Sequence, residues 1–291
     1  MAETQSVSLV AAKDHGRNKI YSNKGSAVRE HPPATSVLLQ GNPKTAERVL
    51  FLFPDGSGSA APFASLGRVS PNIAIVGLNC PYVKNPADLK GTLSDLTPVY
   101  LKEIQKRQPK GPYSLGGWSA GGICALDAAQ ELDRRGESVH RLILIDSPCP
   151  VALGKLPPRL FDFLEKIGIF AKGGRPPPDW LFPHFKAFIR TLEKYKAKPC
   201  IPYREPSTRI IWAEDGVCSS AGSPMLEMTD NDPPDMKWLL CKRTDLSAQG
   251  WERLLNPQTV SIETMADANH FTMMKPENGA KLASFVQRAM Q

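Results

Sequence analysis

The sequence has no run of eighteen consecutive apolar residues, which excludes a membrane-spanning helix. It has no CxxC pair either. Its six cysteines (Cys80, Cys124, Cys149, Cys200, Cys218, Cys241) stand far apart, and its five histidines do not cluster with them, so no zinc site is expected. The opening residues, MAETQSVSLVAAKDHG, lack a basic start followed by an apolar run, so no secretory signal is expected. The cysteines are then expected as free thiols in a reducing, cytoplasmic setting rather than as a disulfide scaffold. No repeat of twenty to fifty residues is visible.

Hydrophobic residues make up 41% of the 291 and charged residues 22%, enough apolar material for a sizeable core and against wholesale disorder. The formal charge is +7, which raises nucleic acid, a membrane surface or an acidic partner. Its location discriminates. Residues 151–205 hold eleven Lys/Arg against five Asp/Glu, so one segment carries nearly the whole excess. Nine of the 27 prolines fall in 151–206, including Pro157-Pro158 and Pro176-Pro177-Pro178. A localised basic, proline-rich segment reads as an insertion with its own organisation, its charge a solvated face or a docking surface, and neither nucleic acid nor a membrane is expected as a partner.

Residues 1–33 are polar, without an apolar period, and read as a tail or linker closed by Pro32-Pro33. From residue 34, short apolar runs alternate with helical patterns. SVLLQG, RVLFLFPDG, IAIVGLNCP, GPYSLGGWS, HRLILIDSP, STRIIWAEDG and TVSIETMADANH read as strands. Residues 92–108, 123–136 and 276–291 read as helices, the last opened by Pro276. This alternation predicts a mostly parallel sheet with helices on both faces. Residues 151–205 break the rhythm. There Leu160, Phe163, Leu164 and Ile167 share one helical face, and Phe182, Phe185, Ile189 and Leu192 another. Two amphipathic helices between strands predict a lid, since a single crossover does not require so long a segment.

The strongest local signal is Gly117-Trp118-Ser119-Ala120-Gly121, a G-x-S-x-G pattern preceded by a strand and followed by a helix. That turn exposes a serine at its tip, and the flanking glycines let strand and helix approach. A serine hydroxyl needs a base. His15 and His31 lie in the tail, His140 begins a strand and His184 sits in the lid. His270 lies late, before the last helix, and gives the order Ser…Asp…His of a hydrolase. Asp146 is the preferred acid, with Asp215 and Glu214 as alternatives at the end of a later strand. Asp267 reads as a turn residue. Backbone N–H groups of Gly56, in the loop Phe53–Gly58, and of Ala120 are the expected oxyanion donors. The Gly56 loop lacks the GK[ST] ending of a phosphate loop and the G-x-G-x-x-G of a dinucleotide site, so no intrinsic cofactor is expected.

Taken together, LFLFPDGSGSA, GLNCPY, QPKGPYSLGGWSAGG, LILIDSPCP, PPRLFDF, IIWAEDGVC, MKWLL and DANHFTMM resemble the thioesterase/Claisen-cyclase domain of fungal non-reducing polyketide synthases, of the naphthalene and naphthopyrone pigment type. The resemblance runs from about Pro32 to the C-terminus. It implies an α/β-hydrolase fold over 34–291 with a lid at about 151–205. It also implies a Ser119–His270–Asp146 triad, with Asp146 preferred over Asp215, and oxyanion donors at Gly56 and Ala120. The implied substrate is a poly-β-ketoacyl thioester on the phosphopantetheine arm of an acyl carrier protein, released by Claisen cyclisation or by hydrolysis. Trp118, Phe163, Phe182, Phe185 and Phe188 are candidate substrate contacts. Lys186, Arg190, Lys194, Lys196 and Lys198 are candidate carrier-docking residues. Two features depart from the family. No carrier-protein serine motif is present, so an excised domain or a free-standing enzyme is expected, and PFASLGRVS in the loop 62–70 differs from the family's usual wording. A general esterase and a catalytically inert hydrolase fold are the competing expectations.

Overall fold

The computed structural model describes residues 31–151, 153–171, 175–201, 204–219 and 222–291. Seven strands form one sheet: β1 (Thr35–Gln40), β2 (Arg48–Phe53), β3 (Ile73–Asn79), β4 (Tyr113–Trp118), β5 (Val139–Ile145), β6 (Ser207–Asp215) and β7 (Val260–Asn269). Their order is β1-β3-β2-β4-β5-β6-β7. Only β1 runs antiparallel, and every other pairing is parallel.

The apolar runs behave as double-sided strands. Alternate side chains of an extended chain face opposite ways. Phe51 and Phe53 of β2 thus join one cluster, with Leu142 and Leu144 of β5 and Ile210 and Trp212 of β6. Leu50, Leu52, Ile143, Ile145, Ile211 and Ala213 join the other. Helices α1 (Leu93–Arg107) and α2 (Ala120–Arg134) cover the first face, and α6 (Pro276–Met290) covers the second. Thr92 caps α1 by accepting the Asp95 amide while the Asp95 carboxylate accepts the Thr92 amide.

The inserted segment forms α3 (Pro158–Lys166) and α4 (Leu181–Leu192), and a further helix, α5 (Pro234–Leu240), follows β6. Leu160, Phe163 and Leu164 of α3 pack with Met236, Leu239 and Leu240 of α5 in a third cluster. The α4 face buries His184, Ala187, Phe188 and Thr191, and its Ala187 and Phe188 join the cluster on the first sheet face. The lid is therefore a packed layer at the carboxyl edge of the sheet.

His31–Gln291 forms one compact unit. Residues 1–30 of the expected tail, with His15, lie outside the described residues, whereas His31 Nδ1 lies 2.7 Å from the Tyr82 hydroxyl. All six cysteines are free. Among the described residues no helix is long and apolar enough to cross a membrane, and no His/Cys/Asp/Glu group could hold a metal ion.

Candidate active site

Ser119 stands between β4 and α2 with φ 57° and ψ −128°, a conformation that costs an L-residue and marks a functional turn. The flanking glycines are required by contact. A Cβ on Gly117 would lie 2.2 Å from the Gly121 backbone, and one on Gly121 would lie 2.4 Å from the Phe53 carbonyl oxygen. The Ser119 amide donates to the Ile145 carbonyl at 2.9 Å, so the neighbouring strand fixes the tip.

Three side chains distant in sequence meet here. His270 Nε2 lies 3.1 Å from Ser119 Oγ, and His270 Nδ1 lies 2.7 Å from Asp146 Oδ2. A carboxylate only accepts, so Nδ1 carries the proton, and the neutral ring offers its Nε2 lone pair to the serine hydroxyl. Trp118 braces this ring: its Nε1 donates to the His270 carbonyl at 3.0 Å, and the two rings sit 4.9 Å apart. The alternative acids lie elsewhere. Glu214 and Asp215 are engaged by Lys242 Nζ at 3.0 and 3.7 Å, and the Asp267 side chain is almost fully exposed beside Lys281.

Asp146 is completely buried, yet its four lone-pair positions are well supplied. Oδ1 accepts the Ala213 amide at 2.8 Å and an Arg243 guanidinium N–H, while Oδ2 accepts the other Arg243 terminal nitrogen at 2.9 Å beside His270. Burial alone would raise this carboxyl. The His270 hydrogen bond and the Arg243 guanidinium outweigh it and hold the group below the ordinary carboxylate range. Arg243 is itself buried and also donates to the Ala213 carbonyl, with its guanidinium 4.5 Å from the Trp238 ring centre and 5.2 Å from that of Trp212.

Gly56 and Ala120 both line the cavity that opens on Ser119 and His270. Ala120 opens α2, where first-turn amides have no acceptor within the helix. The cavity measures about 120 Å³ and is lined mostly by apolar groups, among them Leu160, Phe161, Phe170, Phe185, Ile189, Trp238 and Phe271. Asp55 is its buried acidic member. Burial pushes the Asp55 carboxyl up to about 6, against hydrogen bonds from Ser57. Of the aromatic candidates, Trp118, Phe185 and Phe188 line the cavity. Phe163 and Phe182 do not, which corrects their expected role. Phe163 turns into the α3–α5 cluster, and Phe182 packs edge-on against Phe170 at 5.1 Å. Lys186, Arg190, Lys194, Lys196 and Lys198 are all exposed on or just after α4.

A thioesterase domain model matches residues 48–172. The conidial pigment polyketide synthase alb1 of Aspergillus fumigatus is 53% identical over 280 residues, covering 92% of this chain and 13% of the synthase. The non-reducing polyketide synthase albA of Aspergillus niger is 50% identical over 272 residues, with 89% and 13% covered. Residues 48–172 belong to the thioesterase domain family. The chain spans about 13% of the length of these synthases. Among solved structures, the NocB thioesterase domain in covalent complex with a fluorophosphonate nocardicin G analogue has a TM-score of 0.64 at 22% identity. It covers 89% of this chain and 99% of that one, a likeness that shows the α/β-hydrolase fold.

Within this thioesterase fold, sequence reasoning missed Arg243, Trp238 and Phe170. Arg243 follows Lys242 in a polar stretch, and nothing local separates the buried cation from the exposed one. Trp238 sits in a helix of only seven residues, too short for a periodic signal.

Proposed function

We propose that the chain off-loads a poly-β-ketoacyl thioester carried on the phosphopantetheine arm of an acyl carrier protein, through an acyl-Ser119 ester. The single observation that carries this reading is the continuous relay from Ser119 Oγ through His270 to Asp146, at 3.1 and 2.7 Å, on the wall of an apolar cavity. His270 Nε2 takes the hydroxyl proton as Ser119 Oγ attacks the thioester carbonyl. Gly56 and Ala120 N–H groups receive the oxyanion. The C–S bond breaks, the thiol leaves with the proton, and Asp146 keeps the imidazole in its Nδ1–H tautomer.

Release follows by Claisen cyclisation. His270 removes a proton from a carbon flanked by two carbonyls, the enolate carbon attacks the acyl-serine carbonyl, and Ser119 recovers the proton as it departs. Hydrolysis needs the same residues with water as nucleophile. The mostly apolar lining of the cavity favours cyclisation, because few polar groups there could hold an attacking water. Incubation with a pantetheine-bound polyketide mimic and mass identification of the product tests this. Cyclic ketone supports the reading, open carboxylic acid assigns hydrolysis, and unchanged turnover in Ser119→Ala removes the nucleophile.

The exposed cations Lys186, Arg190, Lys194, Lys196 and Lys198 suit an acidic carrier protein. Reversing Lys194 and Lys196 to Glu is expected to slow transfer from carrier protein at low salt but not from a free pantetheine thioester. Equal loss on both substrates contradicts docking. Exposed charges are screened beyond about 10 Å at 0.1 M salt, so the difference should shrink as salt rises.

A further inference from the structure

The lid reaches the oxyanion loop through one buried side chain. His184 lies on α4, is completely buried, and places Nδ1 3.0 Å from the Gly56 carbonyl oxygen. A carbonyl only accepts, so this nitrogen carries the hydrogen and donates. Burial lowers the affinity of the ring for a second proton, against the opposing pull of the carbonyl, which leaves the neutral ring with a bare Nε2. That Nε2 has no partner among the described residues. The ring's single polar attachment there is the Gly56 carbonyl.

The remaining loop contacts explain why this bond matters. The Asp55 carbonyl accepts the Gly58 amide at 2.9 Å, closing a tight turn, and the Gly58 carbonyl accepts the Cys80 amide at 2.7 Å beyond β3. The loop's ends are thus held from the sheet side. Gly56, between them, is held from the lid. A Cβ on Gly58 would lie 2.2 Å from the His184 ring, and one on Gly56 would lie 2.6 Å from the Phe185 ring. Two adjacent α4 side chains therefore rest directly on the loop.

We propose that His184 is a positioning residue: it holds the Gly56–Ser57 peptide through the Gly56 carbonyl and so restrains the adjoining Asp55–Gly56 unit, whose N–H is the oxyanion donor, while helix α4 is seated. This rests on the reading of Gly56 as an oxyanion donor and extends it: the lid helix becomes part of what shapes the hole. His184 touches no reacting atom and acts through Gly56.

The isosteres of histidine test it. Asn places its amide nitrogen where Nδ1 stands, whereas Gln places it near Nε2. His184→Asn is expected to keep kcat on a pantetheine thioester within about threefold of wild type. His184→Gln and His184→Leu are expected to lose about 10²-fold in kcat, the scale of a misplaced catalytic group, with KM changed less than about twofold. A merely structural role would not separate Asn from Gln while sparing KM. Equal kcat for Asn and Gln, or a loss confined to KM, overturns the proposal. Should the Leu variant fail to fold, the Asn–Gln comparison decides. Fluorophosphonate labelling of Ser119→Ala runs alongside. Labelling that persists there refutes the nucleophile, while labelling that vanishes with equal Asn and Gln rates refutes His184 alone.

Discussion

Asp146 carries two duties with two oxygens. It orients His270, and it neutralises Arg243 inside the protein. Removing one member of a buried pair leaves the other charged without solvent, at a cost of about 3–5 kcal/mol. Arg243→Met is therefore expected to lower unfolding free energy by about that amount in denaturant titration, and to reduce turnover as Asp146 loses its anchor. Unchanged stability would contradict the account of Arg243. Because the Asp146 carboxyl is held below its ordinary value, its contribution persists above the usual carboxylate range and is lost as pH falls through the lowered value.

Asp55 has the opposite sign. Its folded-state value of about 6 lies above the unfolded one of 3.8, so the native state favours the protonated carboxyl. That stabilisation is complete below the unfolded value and disappears as pH rises through 6. The buried anion then costs about 3 kcal/mol at pH 8 relative to acid pH. Asp55→Asn keeps an acceptor for the Ser57 hydroxyl and carries no charge. Its thermal midpoint is expected to exceed wild type clearly at pH 8 and by only about half as much at pH 5. An equal difference at both pH values would contradict this.

At the scale of elements, legibility followed periodicity. The strands and the three sheet-covering helices stood out because each presents a continuous apolar run or a sustained stripe, and Ser119 stood out because its turn demands two glycines. The lid helices were legible as amphipathic, but the destination of each face was not. The stripe of Phe182, Phe185, Ile189 and Leu192 faces the cavity side in part, while Phe188 both lines the cavity and joins the cluster on the sheet layer, and the histidine four residues before it meets the Gly56 loop. What a helix face meets depends on a partner remote in sequence, here the oxyanion loop and α5. Phe170 illustrates the point: it lies beyond α3, yet contacts Phe182, Phe185 and Phe271 edge-on. Phe170→Ala is expected to admit water beside the acyl-serine and raise the ratio of free acid to cyclised product severalfold, read by mass spectrometry. A ratio at or below wild type would contradict its role as a water barrier.

At the scale of the whole molecule, the sheet brings β4, β5 and β7 ends to one edge, and the lid closes over it. The cavity of about 120 Å³ is smaller than the roughly 300–1,000 Å³ of ordinary ligand pockets. A ligand of ordinary size therefore needs more room than this cavity holds. The exposed basic residues of α4 and its following segment lie on the same layer that covers the cavity.

The most direct measurement is trapping of the acyl-enzyme. Brief incubation with a pantetheine-bound acyl mimic, followed by peptide mass mapping, is predicted to place the acyl group on the peptide containing Ser119. The adduct should be absent in Ser119→Ala and strongly reduced in His270→Gln. An adduct on another residue, or full turnover without Ser119, would contradict the account.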